Sequence, residues 1–382
     1  MKRLFACFAV LLATIVFIST ANAGYEEGKA AYLRGDYATA LKELKPLAEQ
    51  GNVDAQSGLG YMYMAGKGVP QDYEKAIKWY QLAADQGDAG AQTNLGYMYM
   101  AGLGVPQDYE KAIKWYQLAA DQGDAFAQAR LADAQTRLGI IYEYGLGVPQ
   151  DSKKAVKWFR LAADQGDAAA QTRLGFMYKN GQGVPQDYKK AIKWYQLAAD
   201  QGYAAAQFNL GLMHKKGLGA PQDSKKAVKW FRLAADQGDA FAQNNLGIMY
   251  ANGKGILQNY KKAIKWYQLA ADQRNAAAQT NLGSMYANGK GILQNYKKAI
   301  KWYQLAADRG NAAAQYNLGI MYQKGQGVLQ DYKKSHMFYN LSSYNGNTSA
   351  AEFRDLLAKK MTSQQISEAQ DMAREWLEKH PR

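Results

Sequence analysis

Cysteine is all but missing from this 382-residue chain: the single copy, Cys7, lies inside an apolar run at the N-terminus. It sits too early in that run, with more apolar sequence after it, to read as a lipid-attachment cysteine. Past the run there is no thiol, so no disulfide, thiolate nucleophile or zinc–sulfur site can form. Histidine occurs three times, as His214, His336 and His380, and none has a second ligand near it at metal spacing. The first two stand at helix positions that other copies of a repeat fill with tyrosine and isoleucine, so they read as core variants; His380 reads as solvated tail. Carboxylates are spread evenly, with no pair that stands out as an acid–base couple and no nucleophile-plus-base signature. No stretch after residue 23 is apolar enough to cross a membrane. These absences weigh against an enzyme and call for no cofactor and no metal.

What is present begins with a leader. Lys2 and Arg3 precede an apolar run from Leu4 to Ile18, and Ala21-Asn22-Ala23 forms a small-residue cleavage site before Gly24. Residues 1–23 therefore read as a signal peptide. An uncleaved anchor helix is the competing reading, although a spanning helix needs about 20 apolar residues. Export follows, to the periplasm or beyond the cell. The whole chain carries 47 Lys and Arg against 33 Asp and Glu, a formal charge of +14. A basic exported protein points to anionic neighbours such as an envelope polymer, lipid headgroups or acidic proteins. Good solubility alone would have the same charge.

The rest of the chain repeats itself. Trp79, Trp115, Trp158, Trp194, Trp230, Trp266 and Trp302 fall 36 residues apart, except for one interval of 43. Self-similarity at this period marks a solenoid of stacked small motifs. In the copy that starts near Ala91, Leu95, Met98 and Tyr99 recur at helical spacing, and Gly102 ends the helix in the left-handed conformation. Pro106 keeps the linker extended. Asp108 is the N-cap of a second helix that carries Ala112, Ile113, Tyr116 and Ala119. Asn259 and Asn295 replace that aspartate in later copies, and Leu257 and Leu293 replace the proline. The expected fold is all-α: a right-handed α-solenoid of about eight antiparallel helix pairs. Its G-x-G turns follow no strand, so they read as turns and not as phosphate loops.

One glycine per copy stands inside the first helix, among them Gly60, Gly96, Gly175, Gly211 and Gly319. Glycine there costs about 0.5–1 kcal/mol relative to alanine, so close approach of the second helix is expected. The small residue sixteen positions on is the predicted contact: Ala76 for Gly60, Ala112 for Gly96 and Ala191 for Gly175, with Ser335 a looser partner for Gly319.

The pattern A-Q-x-N-L-G-x-M-Y-x-x-G-x-G-V-x-Q-D-Y-x-K-A-x-x-W-Y-x-x-A-A resembles that of Sel-one-like repeat proteins, a branch of the tetratricopeptide-like superfamily. Eight copies begin near Ala55, Ala91, Ala134, Ala170, Ala206, Ala242, Ala278 and Ala314 and occupy residues 55–349. A divergent half-repeat at 24–54 precedes them, with Glu43 where the tryptophan belongs. Residues 350–382 read as two capping helices, the second opened by a capping box at Thr362 and Gln365. Seven extra residues near 126–137 are two helical turns, so they lengthen a first helix with only about 20° of phase drift.

The resemblance implies a non-enzymatic scaffold whose first helices line a concave groove for a peptide or protein. Asn94, Asn209, Asn245, Asn281 and Asn317 hold the position that often bonds a ligand's backbone in that superfamily. Arg137 and Arg173 replace asparagine in two copies, and Tyr97, Phe176, Lys179, Lys215 and Lys324 come next along the groove. Such a set suits an acidic or carboxylate-ended segment. That these asparagines bridge neighbouring repeats is the competing reading. Lysines in the second helices, such as Lys189, Lys190 and Lys193, stack into a stripe that is either a solvated face or a site for an anionic envelope polymer. Helical repeats of similar length read RNA, but the leader argues against nucleic acid. Some secreted relatives are linked to β-lactam binding and hydrolysis, which makes a β-lactamase-like enzyme the alternative; the disulfide of their repeats is absent here.

Overall fold

The computed structural model describes residues 23–380. The apolar run of the leader and most of its cleavage site lie outside the described residues, which hold twenty helices and no strand. The chain divides into two compact units that meet in sequence at Gln186 and Asp187. The first unit contains α1 (23–33), α2 (Tyr37–Glu49), α3 (Val53–Ala65), α4 (Tyr73–Asp85), α5 (Ala89–Ala101), α6 (Tyr109–Asp121), α7 (Ala125–Tyr144), α8 (Ser152–Asp164) and α9 (Ala168–Asn180). The second contains α10 (Tyr188–Asp200), α11 (Ala204–Lys216), α12 (Ser224–Asp236), α13 (Ala240–Asn252), α14 (Tyr260–Asp272), α15 (Ala276–Asn288), α16 (Tyr296–Ala307), α17 (Ala312–Lys324), α18 (Tyr332–Tyr344), α19 (Thr348–Ala358) and α20 (Ser363–Lys379). From α2 to α9 and from α10 to α19 every helix packs on its neighbour in the chain, the α-solenoid pattern of repeated helix pairs, and α20 packs on α18.

Short polar signals set the helix ends. Asp108 accepts the Lys111 amide at 2.9 Å, and Asn259 and Asn295 do the same for Lys262 and Lys298. The residue that closes one pair also opens the next: Asp88 caps α5 through the amide of Ala91, and Asn311 caps α17 through that of Ala314. Gly66 and Gly102 end α3 and α5 with φ of 65° and 69°, a conformation that only glycine adopts freely. The glutamine of each turn covers a first-helix end, as when Gln107 Nε2 donates to the Met100 carbonyl at 2.7 Å.

The glycine inside each first helix does meet the second helix, and most closely at a residue the sequence did not single out. A Cβ on Gly60 would lie 2.6 Å from the Tyr80 ring, on Gly96 2.7 Å from Tyr116, and on Gly211 2.7 Å from Phe231. The nearest atoms thus belong to an aromatic ring twenty positions on, and the residue at sixteen also comes close, as where the Ala263 carbonyl would lie 3.3 Å from a Cβ on Gly247. The alanine is still required, since Ala76 and Ala112 are fully buried. Ser335 is no looser contact: it is buried and its hydroxyl donates to the Gly319 carbonyl at 2.7 Å.

Successive pairs are joined by a buried glutamine relay. Gln92 Nε2 donates back to the Ala84 carbonyl at 3.1 Å, and its Oε1 accepts from Gln122 Nε2 at 2.8 Å. Gln56 and Gln243 make the same two bonds in their copies. The seven extra residues split this relay. They lengthen α7 to 20 residues where the other first helices of the matched pattern have 13. Gln128 then makes the backward bond, to Ala120, and Gln135 the forward one, from Gln165.

At the C-terminus, Thr362 and Gln365 form the reciprocal capping box. Met372, Ala373, Trp376 and Leu377 of α20 pack on the core that contains Met337, Phe338 and Leu341 of α18. His380 is not a solvated tail: its ring stacks on Trp376 at 4.1 Å, with Asp308 3.8 Å away.

Candidate functional site

The residue after each buried glycine is exposed or half-buried. In the first unit these positions hold Tyr61, Tyr97, Ile140 and Phe176. Tyr61, Tyr97 and Phe176 are exposed, although large aromatic rings are normally among the residues a fold hides. The helices α3, α5 and α7 that carry three of these residues touch in succession. Tyr61 meets Tyr32 edge-on at 6.0 Å, and with Tyr25, Leu33 and Leu44 they line a hollow of about 170 Å³. In the second unit the same positions hold Leu212, Ile248, Ser284 and Ile320, all half-buried.

The polar candidates sit on the same first helices, and most already have partners. Asn209 and Asn245 donate to the carbonyls of Ala205 and Phe241 on their own helices, at 2.8 and 2.9 Å. Asn245 also accepts from Lys215 Nζ at 2.9 Å, and Asn281 donates to Asn244 at 2.9 Å. Both of the latter bonds bridge neighbouring repeats. Burial holds the Lys215 ammonium below its usual pKa, with Lys216 and Lys254 adding to the effect. Asn94 and Asn317 are half-buried, and Lys324 lies in the last turn of α17.

The two arginines differ. Arg173 reaches Glu143 at 3.4 Å and the Tyr144 hydroxyl at 3.0 Å. Glu143 is buried, and desolvation raises its pKa while Arg173 opposes the rise. Removing Arg173 from that carboxylate would leave a buried charge unpaired. Arg137 pairs with Asp133 on its own helix at 3.0 Å, and both side chains are solvent-accessible. Such a pair contributes little, so Arg137 is the cation free to exchange its partner. Lys179 lies over the Phe176 ring, 5.8 Å from its centroid.

The α7 extension opens a cleft of about 850 Å³ between the ends of α6 and α8, lined by Gln117, Asp121, Gln128, Leu161 and Gln165 among others. Its signal in the sequence was the echo of Gln128 in Gln135. His214 and His336 are buried within helices. Among the described residues, no three His, Cys, Asp or Glu side chains gather to hold a metal ion, and no helix is long and apolar enough to cross a membrane.

The profile of the Sel1 repeat matches the chain eight times, over residues 53–88, 89–124, 132–167, 168–203, 204–239, 240–275, 276–311 and 312–347. The gap at 125–131 is the extension of α7. A Sel1 repeat protein from Oxalobacter formigenes is 32% identical over 83% of this chain and 90% of its own, with a TM-score of 0.62. A protective antigen of uropathogenic Escherichia coli strains, which displays an SLR fold, is 32% identical over 97% of this chain and 94% of its own, with a TM-score of 0.48. No curated protein matches the chain. Sel1 repeat proteins are generally protein–protein interaction scaffolds, and the fold is typically non-enzymatic. Eight matched copies, with a Sel1 repeat relative 32% identical over 83% of the chain, mean that the chain belongs to the Sel1 repeat family.

Proposed function

We propose that this protein is an exported, non-enzymatic scaffold that binds a peptide or protein across the first-helix faces of its repeats. The observation that carries the reading is the exposed aromatic row of Tyr61, Tyr97 and Phe176 on the first helices α3, α5 and α9. Aromatic rings supply large contact area at small entropic cost and dominate the energetics of interfaces. Arg137, on the first helix α7, takes a carboxylate of the partner in exchange for Asp133, which favours an acidic or carboxylate-ended segment. Asn94 adds a side-chain amide next to Tyr97. Asn209, Asn245, Asn281, Lys215 and Arg173 act mainly as internal ties, because their polar atoms are already bonded. The leader read in residues 1–23 places the partner outside the cytoplasm.

Crosslinking and capture from intact cells tests this. The Y61A/Y97A/F176A variant should retain its helical circular dichroism and lose captured partner by at least about tenfold, since one interface aromatic is commonly a hot spot above 2 kcal/mol. Undiminished capture by the folded variant would exclude the aromatic row as the binding face.

A further inference from the structure

Charge is divided unevenly along the chain. Residues 24–186 hold 17 Lys and Arg against 19 Asp and Glu, whereas residues 187–382 hold 28 against 14. Part of the difference gathers at one edge of the second unit, where the turns before α14, α16 and α18 meet the second-helix N-termini. Gly255 packs on the backbone at Ser224 and Lys225, Gly291 on Tyr260 and Lys261, and Gly327 on Tyr296 and Lys297. These contacts set the three turns side by side along a single edge.

Exposed leucines and lysines coincide there. The turn proline of the earlier copies, such as Pro185 and Pro221, becomes Leu257, Leu293 and Leu329, which are 88%, 88% and 91% exposed. The capping aspartate becomes Asn259 and Asn295, which keep the cap bond and drop the charge. Position two after the cap, Glu74 and Glu110 in the first two copies and lysine from Lys153 onward, holds Lys261 and Lys297 here; Lys254 and Lys290 in the turns, like Lys67 in the first copy, add further charge, and all four lysines at this edge are exposed. A single exposed leucine needs no explanation. Three at one position of consecutive turns do, and the third lies in a turn, Gly325 to Asp331, whose sequence differs from the other two.

We infer that this edge docks the protein on an anionic lipid bilayer, with Leu257, Leu293 and Leu329 entering the headgroup–acyl boundary and the surrounding lysines facing lipid phosphates. The combination is what the chemistry of such a surface asks for: apolar tips of shallow reach next to unpaired cations. A soluble polyanion would use the lysines and gain nothing from the leucines. The inference goes beyond the aromatic row of the first unit and involves none of its residues.

Co-sedimentation of the purified protein with phospholipid vesicles tests it, using phosphatidylcholine alone or mixed with phosphatidylglycerol. Binding is expected to the mixed vesicles, to weaken as salt rises, and to be far weaker on the zwitterionic ones. L257S/L293S/L329S should cut vesicle binding by at least about tenfold and leave binding of inorganic polyphosphate unchanged. The variant L257P/L293P/L329P, which restores the residue that five other copies accept, should lose vesicle binding with an unchanged melting temperature. No sedimentation with the mixed vesicles, or leucine variants that sediment like the wild type, would overturn the proposal.

Discussion

The Phe231 ring packs against Gly211 too closely to leave room for a side chain there. A methyl group at 211 would stand 2.7 Å from two ring carbons of a fully buried phenylalanine. Gly211→Ala should therefore destabilise the protein by about 1–3 kcal/mol, the usual cost of overpacking, although alanine is the better helix former. A melting temperature equal to or above that of the wild type would refute the packing assignment. His214 is the opposite case, a residue that fits its site poorly. It stands where Tyr250 and Tyr286 lie under lysines, and its buried Nδ1 has no hydrogen-bond partner. Burial, then Lys226, hold its pKa below the usual value, while Asp223 pulls the other way. With the folded pKa depressed, its share of stability is whole above about pH 6.5 and is lost as pH falls through the folded value. His214→Tyr should raise the melting temperature and flatten its decline between pH 7 and pH 5, as thermal unfolding at several pH values would read. A steeper decline in the variant would contradict this.

Among the elements, α7 shows best what a helix pair tolerates. Its seven extra residues keep the apolar face in phase, because two turns of helix bring side chains back to nearly the same direction. Deleting residues 125–131 would place Gln135 four positions after Asp124, the spacing of Gln92 after Asp88. The shortened protein should fold, retain or gain thermal stability, and let Gln135 make both relay bonds. A deletion variant that fails to fold would mean that the extension carries structure of its own. This element was legible in the sequence, as were the helix pairs, the caps at Asp108 and Asn259, and the capping box at Thr362, because each depends on neighbours within about one turn. The ring over each glycine was not. Helical period gives the side of a helix that faces its partner, but the rotation and height of the second helix decide whether residue sixteen or twenty makes the contact. The glutamine relay was hidden for a related reason: a buried glutamine is a polar letter in an apolar face until its two partners are in place. The asparagines of the candidate groove were placed on the right helices, while their bonds to nearby carbonyls and side chains depend on rotamers that periodicity does not encode.

For the molecule as a whole, stability is a sum of local terms, since each helix pair touches its neighbours and little else. Such an array leaves its faces free to diverge. At the position after the buried glycine the first unit shows Tyr61, Tyr97, Ile140 and Phe176 and the second Leu212, Ile248, Ser284 and Ile320, while charge is near balance in the first unit and lysine is in excess in the second. No converging acid, base and nucleophile is required of either, and recognition rests on which side chains the repeats display. In the function proposed above, a partner protein touches the first-helix face. Site-specific photocrosslinking in intact cells tests it most directly, with the reactive group placed at residue 97 on α5 or at residue 114, an exposed lysine on α6. Covalent protein adducts are predicted from position 97 and not from position 114; adducts from 114 alone, or from neither, would contradict the account.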